Sequence, residues 1–211
     1  MTASDAAGLI SAPAGSQRIE PQGLVASTRV AIVAAEYHTD IVQPLVDGAV
    51  AECLERGVAP DCISIIPIPG AFEVGLAAQH CAQNGYDAVI ALACVIRGDT
   101  PHFEYVCGEA ARGVTDAALK TGVPVAFGVL TVETHQQAVD RIGGSEGHKG
   151  REAAGAALGL LATLRATVAL KPGPGLAQIV RCARVTPRRN RAAVPMRATP
   201  SLRGRAAPCR P

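Results

Sequence analysis

Apolar positions along the chain fall into short continuous runs, separated by stretches in which they recur at helical spacing. The clearest run, Ala88–Ile96 (AVIALACVI), is nine residues long, too short to span a membrane and the right length for a fully buried strand. Three more such runs occupy residues 29–35 (RVAIVAA), 62–68 (CISIIPI) and 123–130 (VPVAFGVL). After the first run, Ile41, Leu45, Ala49, Cys53 and Leu54 follow helical spacing up to Gly57, a C-cap candidate, with Pro44 tolerable in the first turn. A small-residue helix is predicted over residues 72–83, closed by Asn84-Gly85. Another is predicted over residues 101–120, with Val106, Ala110, Val114, Ala117 and Ala118 on its apolar face. A short helix then ends near Arg141, Gly143-Gly144 breaks it, and a last Ala/Leu helix covers Lys149–Val168.

The resulting order is β-α-β-α-β-α-β-α-α, without internal repeats. Near-continuous apolar strands are buried on both faces, which predicts a parallel sheet with helices on each side. Right-handed crossovers narrow this to a three-layer α/β/α fold with a four-stranded parallel sheet and flavodoxin-like doubly wound topology. Residues 1–28, rich in Ala, Gly, Ser and Pro without periodicity, read as a flexible N-terminal arm. The folded domain is expected over residues 29–170.

Charge separates the rest of the chain from that domain. Residues 1–170 hold 10 basic and 18 acidic residues, net −8, whereas residues 171–211 hold 10 basic residues and no acid. With seven Pro in 41 positions, that tail cannot build a core and is expected to be disordered. It could bind a nucleic-acid or anionic surface through phosphate contacts, but a non-native reading-frame extension is the favoured reading, since the tail has no aromatic for base stacking. The seven Cys show no CxxC or Cys/His ligand spacing, which predicts reduced thiols and a cytoplasmic protein. There is no signal-peptide pattern and no transmembrane run, so no membrane role is expected.

In a doubly wound sheet, ligands bind beyond the carboxyl ends of the strands. The strand-exit loops, residues 36–40, 69–73, 97–102 and 131–134, carry Tyr37, His38, Phe72, Glu73, Arg97, Thr100 and His102, with Phe127 just before the last loop. Thr100 at an N-cap with Pro101 at the first helical position is a helix-start signal. It places Gly98, Asp99, Thr100 and His102 at a helix N-terminus, where free N–H groups and the dipole favour an anion such as phosphate. Asp99 would repel that anion and is expected to point away. Neither a GxxxxGK[ST] loop nor a strand-borne GxGxxG is present, so ATP and dinucleotides are not the expected ligands. His102 is placed to shuttle protons near neutral pH, or else is a plain exposed polar residue. Phe72 and Tyr37 can stack a flat heterocycle, although Phe72 equally suits a core. Glu73 offers acceptors or simply complements a helix dipole. His80, His135 and His148 lack metal-ligand spacing and read as surface residues, so no metal is expected.

Four segments together resemble the lumazine synthase family, the penultimate enzyme of riboflavin biosynthesis. They are Pro69-Gly70-Ala71-Phe72-Glu73, the stretch from Val95 to Val106 (VIRGDTPHFEYV), Phe127-Gly128-Val129-Leu130-Thr131, and Gln137-Ala138-Val139-Asp140-Arg141 followed by Lys149-Gly150. The resemblance covers about residues 29–166 in order. It implies condensation of 5-amino-6-(D-ribitylamino)pyrimidine-2,4-dione with 3,4-dihydroxy-2-butanone 4-phosphate to 6,7-dimethyl-8-ribityllumazine, with loss of phosphate and water and without a cofactor. It further implies that Gly98, Asp99, Thr100 and Arg141 hold the phosphate and that His102 is the catalytic proton-transfer residue. Tyr37 or Phe72 would stack the pyrimidine, Ala71 and Glu73 contact the ribityl chain, and Val95, Ile96, Phe127 and Lys149 line the pocket.

In that family Phe127, Arg141 and Lys149 come from an adjacent subunit, so the implied partners are further copies of this chain, arranged as a pentamer. The N-terminal arm would add to a neighbour's sheet, and the short link between Arg141 and Lys149 (IGGSEGHKG) leans toward an icosahedral shell of pentamers. Riboflavin synthase is a candidate partner. Residues 171–211 match nothing in the family. Two neighbouring assignments stay open at this point: an archaeal-type riboflavin synthase relative, and a non-catalytic flavin- or lumazine-binding shell protein.

Overall fold

The computed structural model of the chain describes residue 10, residues 12–21 and residues 23–168. The expected basic tail, residues 171–211, lies outside them, as does most of the first ten residues. Four strands, β1 (Val30–Ala35), β2 (Ile63–Ile68), β3 (Ala88–Ile96) and β4 (Val125–Val132), form one sheet in the order β2-β1-β3-β4. All three pairings are parallel. Helices α1 (Thr39–Glu55), α2 (Val74–Gln83), α3 (His102–Thr121), α4 (His135–Val139) and α5 (Lys149–Val168) complete the predicted three-layer fold.

The alternation of strand side chains divides the core in two. Val30, Ile32, Ala34, Ile90 and Leu92 face α1 and α5, packing with Ile41, Leu45, Leu158 and Leu161. Ala31, Val33, Val89, Ala91 and Ala93 face α2 and α3, packing with Val74, Ala78, Ala110 and Val114. The second layer is built from small residues so that helices approach closely. A Cβ on Gly75 of α2 would sit 2.6 Å from the Gly113 Cα of α3, so any side chain at either position would force those helices apart.

Several boundaries differ from the sequence expectation, four of them with consequences for the packing. β2 is an edge strand rather than a strand buried on both faces, and Ile65 is exposed on it. β4 runs on through Thr131 and buried Val132, which pair with Val95 and Ile96, so its exit loop shortens to residues 133–134. Helix α1 begins at Thr39, which puts Pro44 inside the helix rather than in its first turn. The Gly143-Gly144 break is in fact half of a hairpin, β5 (Ile142–Gly144) paired antiparallel with β6 (Gly147–His148).

Ordered packing also starts before Arg29. Leu24 packs on the core, and Ala59 N–H donates to the Ala26 carbonyl at 3.0 Å. The fully buried Thr28 hydroxyl accepts from Arg165 at 3.1 Å. Arg165 also pairs with Asp87 at 3.0 Å, and Asp87 accepts from the Arg29 N–H at 2.8 Å. This network closes the amino end of the sheet and leaves the carboxyl end as the open one.

Candidate active site

At the carboxyl ends of β1 and β3 a cleft of about 780 Å³ opens between the turn at Ala71–Glu73 and the start of α3. Its walls include Tyr37, His38, Ala71, Phe72, Glu73, Val95, Ile96, Gly98, Thr100 and His102. The structure thus brings nine of the thirteen sequence-derived candidates into one concavity. Ala71 is buried and anchors its turn, while Phe72 is 56% exposed and is no core residue. Glu73 makes no ion pair or side-chain hydrogen bond among the described residues, so its carboxylate is free to accept from hydroxyls or ring N–H groups.

Asp99 is exposed and does not line the cleft, in keeping with a carboxylate turned from an anion. The helix start is shifted from expectation. Pro101 is the N-cap residue, α3 begins at His102, and no side chain caps it. The Thr100 hydroxyl is therefore not consumed as a cap, and no side chain accepts from the first N–H groups of α3, of which that of Glu104 bonds the Pro101 carbonyl at 3.1 Å. Gly98 and Thr100 flank that free helix end, and His102 stands on its first turn. Cys94 also lines the cleft, where burial pushes its thiol up to about 11. It stays protonated near neutral pH and acts as apolar wall rather than nucleophile.

Phe127, Arg141 and Lys149 do not join this cleft. They line a separate groove of about 460 Å³ along β4 and α5, and the two linings share no residue. The β5–β6 hairpin fixes the spacing of its cations, with Lys149 N–H donating to the Arg141 carbonyl at 2.8 Å. Arg141 donates a guanidinium N–H to the Gln137 carbonyl at 2.9 Å. Lys149 Nζ bonds both carboxylate oxygens of Glu152 at 2.8 Å. Glu152 lines the groove and was not singled out from the sequence, where Lys and Glu three apart on an Ala-rich helix look like an ordinary surface pair. His148 is half-buried rather than a surface residue: its ring fills the notch at Gly48 on α1, where a Cβ would approach to 2.1 Å. It thereby seats the hairpin that leads into Lys149, the first residue of α5.

Arg97 ties the first turn of α3 to the residue after β4. Its guanidinium pairs with Glu104 on α3, bonds Glu133 after β4 at 2.6 Å, and lies 4.1 Å over the Phe103 ring. The hydrogen bond from Arg97 holds the Glu104 carboxyl below its ordinary range. Nearby, His135 pairs with Asp40 at 2.6 Å and likewise lowers that carboxyl. Among the described residues there is no group of three or more His, Cys, Asp or Glu arranged to hold a metal, and no helix long and apolar enough to cross a membrane.

The family model described as 6,7-dimethyl-8-ribityllumazine synthase matches residues 27–165, a span that contains every residue of both concavities. The 6,7-dimethyl-8-ribityllumazine synthase of Paenarthrobacter aurescens (strain TC1) is 50% identical over 139 residues, covering 65% of this chain and 84% of the relative. Proteins of the same name from Arthrobacter sp. (strain FB24) and Streptomyces avermitilis are 49% and 48% identical over 139 residues, covering 65% of this chain and 84% and 85% of the relatives. With the fold and the matched span in agreement, the chain belongs to the 6,7-dimethyl-8-ribityllumazine synthase family.

Proposed function

We propose that the chain condenses 5-amino-6-(D-ribitylamino)pyrimidine-2,4-dione with 3,4-dihydroxy-2-butanone 4-phosphate, in a site divided between two copies of itself. The product is 6,7-dimethyl-8-ribityllumazine, with loss of phosphate and water and without a cofactor, as a step of riboflavin biosynthesis. The carrying observation is the cleft that gathers His102, the free start of α3 and an aromatic wall within the span matched by the family.

In this reaction the pyrimidine amine attacks the ketone carbonyl, and a Schiff base forms as water leaves. A proton then leaves the neighbouring carbon, its electron pair becomes a C=C bond, and the C–O bond to phosphate breaks; the resulting enol shifts to a ketone, which the ribityl-bearing nitrogen attacks to close the second ring as a second water leaves. His102 moves those protons, since imidazole can both accept and donate near neutral pH. Gly98 and Thr100, with the backbone at Asp99, cradle the departing phosphate at the helix end, and Arg141 of an adjacent copy neutralises its charge. Tyr37 or Phe72 stacks the pyrimidine, Ala71 and Glu73 meet the ribityl chain, and Val95 and Ile96 line the ring. Phe127 and Lys149 complete the pocket from the same neighbour. The separation of the cleft from the groove supports this division.

Exposed Leu76, Tyr105 and Leu119 and the open β2 edge support a homo-oligomer. The pentamer, or an icosahedral shell of pentamers, is the assembly proposed, in the cytoplasm, with riboflavin synthase as candidate partner. Light scattering distinguishes the two sizes. Incubating the protein with both substrates and following lumazine absorbance tests the activity. Lumazine should accumulate only when both are present. Consumption of lumazine instead would indicate an archaeal-type riboflavin synthase relative, and binding without turnover an idle shell.

A further inference from the structure

His38 is the one non-glycine residue with positive φ among the described residues, at φ 60° and ψ 52°. This left-handed conformation is disfavoured for side chains with a Cβ, and such outliers persist where surrounding contacts hold them. The backbone here starts α1, because the His38 carbonyl accepts from both Ile41 and Val42 N–H groups at 2.9 Å. A glycine would start the helix in the same way at lower cost, so the turn alone gives no reason for an imidazole.

The ring has a second set of contacts. It meets the Tyr37 ring edge to face, with centroids 4.7 Å apart and planes 76° apart. Both rings line the cleft that also contains His102. Tyr37 is 69% exposed and makes no side-chain hydrogen bond among the described residues, and the imidazole is the aromatic ring packed against it. T-shaped pairs of this kind have a preferred geometry because ring edges are positive and faces negative.

Building on the proposed function, we infer that His38 is a positioning residue for the pyrimidine substrate: its left-handed backbone turns the imidazole edge-on to Tyr37, so that Tyr37 is already oriented to stack the flat ring. The ketone phosphate has no flat ring and is indifferent to this contact. Catalytic proton transfer stays with His102, which His38 does not contact through any hydrogen bond among the described residues.

The test compares His38→Gly and His38→Asn with the unaltered full-length protein in the lumazine assay, alongside thermal unfolding. His38→Gly keeps the left-handed backbone and removes the ring. It should raise KM for the pyrimidine about fivefold, leave KM for the ketone phosphate and kcat within about twofold, and leave Tm unchanged or slightly raised as backbone strain is relieved. His38→Asn, which also tolerates the left-handed region, should show the same selective rise. A merely structural turn residue would give the opposite pattern, with unaltered KM for both substrates in His38→Gly. That result would overturn the inference, as would equal changes in both KM values or in kcat. If the unaltered protein made no lumazine at all, the proposed function would fall first and take this assignment with it, so the two failures are distinguishable.

Discussion

The cleft and the groove both carry residues of the proposed site, yet they offer a ligand different things. The cleft has a helix end with free N–H groups, an imidazole on its first turn, and exposed aromatic rings. The groove has two cations, Arg141 and Lys149, with Glu152 beside them, along an edge strand that carries a 44%-exposed Phe127. A proton shuttle without a neutralising cation is a poor phosphate-eliminating site, and a cation pair without a proton shuttle has no catalyst. The two sets of groups are complementary, which is what the proposed division of one site between two copies of the chain requires.

The largest expected effect is on the cleft. His102→Ala should lower kcat by about 10²-fold or somewhat less, in the low range for general acid–base residues, with both KM values little changed. Unchanged turnover would remove His102 from the mechanism and leave the cleft a binding surface only. On the groove, Arg141→Ala should raise KM for the ketone phosphate about tenfold, as loss of a charge-assisted contact to an anion does. If only the pyrimidine KM rose, the phosphate would belong elsewhere and the division of labour would be wrong.

The smallest effect concerns Arg97, which pairs with Glu104 on α3 and with Glu133 after β4. Because Arg97 depresses the Glu104 carboxyl in the folded protein, their pairing stabilises the fold above the ordinary Glu value of 4.5 and is lost as pH falls through the lowered folded value. Thermal unfolding of Glu104→Gln and the unaltered protein should therefore differ slightly at pH 7 and converge toward pH 3. Both partners are exposed and screened, so a large gap at pH 7 would mean that Arg97 does more than tie α3 to the end of β4.

Much of the fold was legible because nine apolar residues in succession admit few alternatives. β3 begins and ends at the residues the pattern predicts. Where apolar runs carry no alternation the pattern fails. CISIIPI reads as buried on both faces, and only the sheet order reveals β2 as an edge with Ile65 exposed. Gly143-Gly144 reads as a break because a two-residue pairing such as β5–β6 leaves no periodic trace. Within the site, loop position and residue type identified the cleft. Glu152 and the seating of His148 in the Gly48 notch depend on contacts between α1, the hairpin and α5, which no spacing rule contains. Phe127 illustrates the limit best: loop order grouped it with the cleft residues, whereas the sheet turns it to the other concavity.

The shared site is the central claim, and subunit mixing tests it most directly. His102→Ala and Arg141→Ala chains are each assayed alone with the ketone phosphate well below its KM, then dissociated together in equal amounts, reassembled and assayed again under the same conditions. If the site spans two copies, random reassembly pairs an intact cleft with an intact groove at about a quarter of the interfaces, and activity should rise well above either variant alone. If each chain carried its own complete site, every site would retain one defect, and the mixed assembly would show only the average of the two variants.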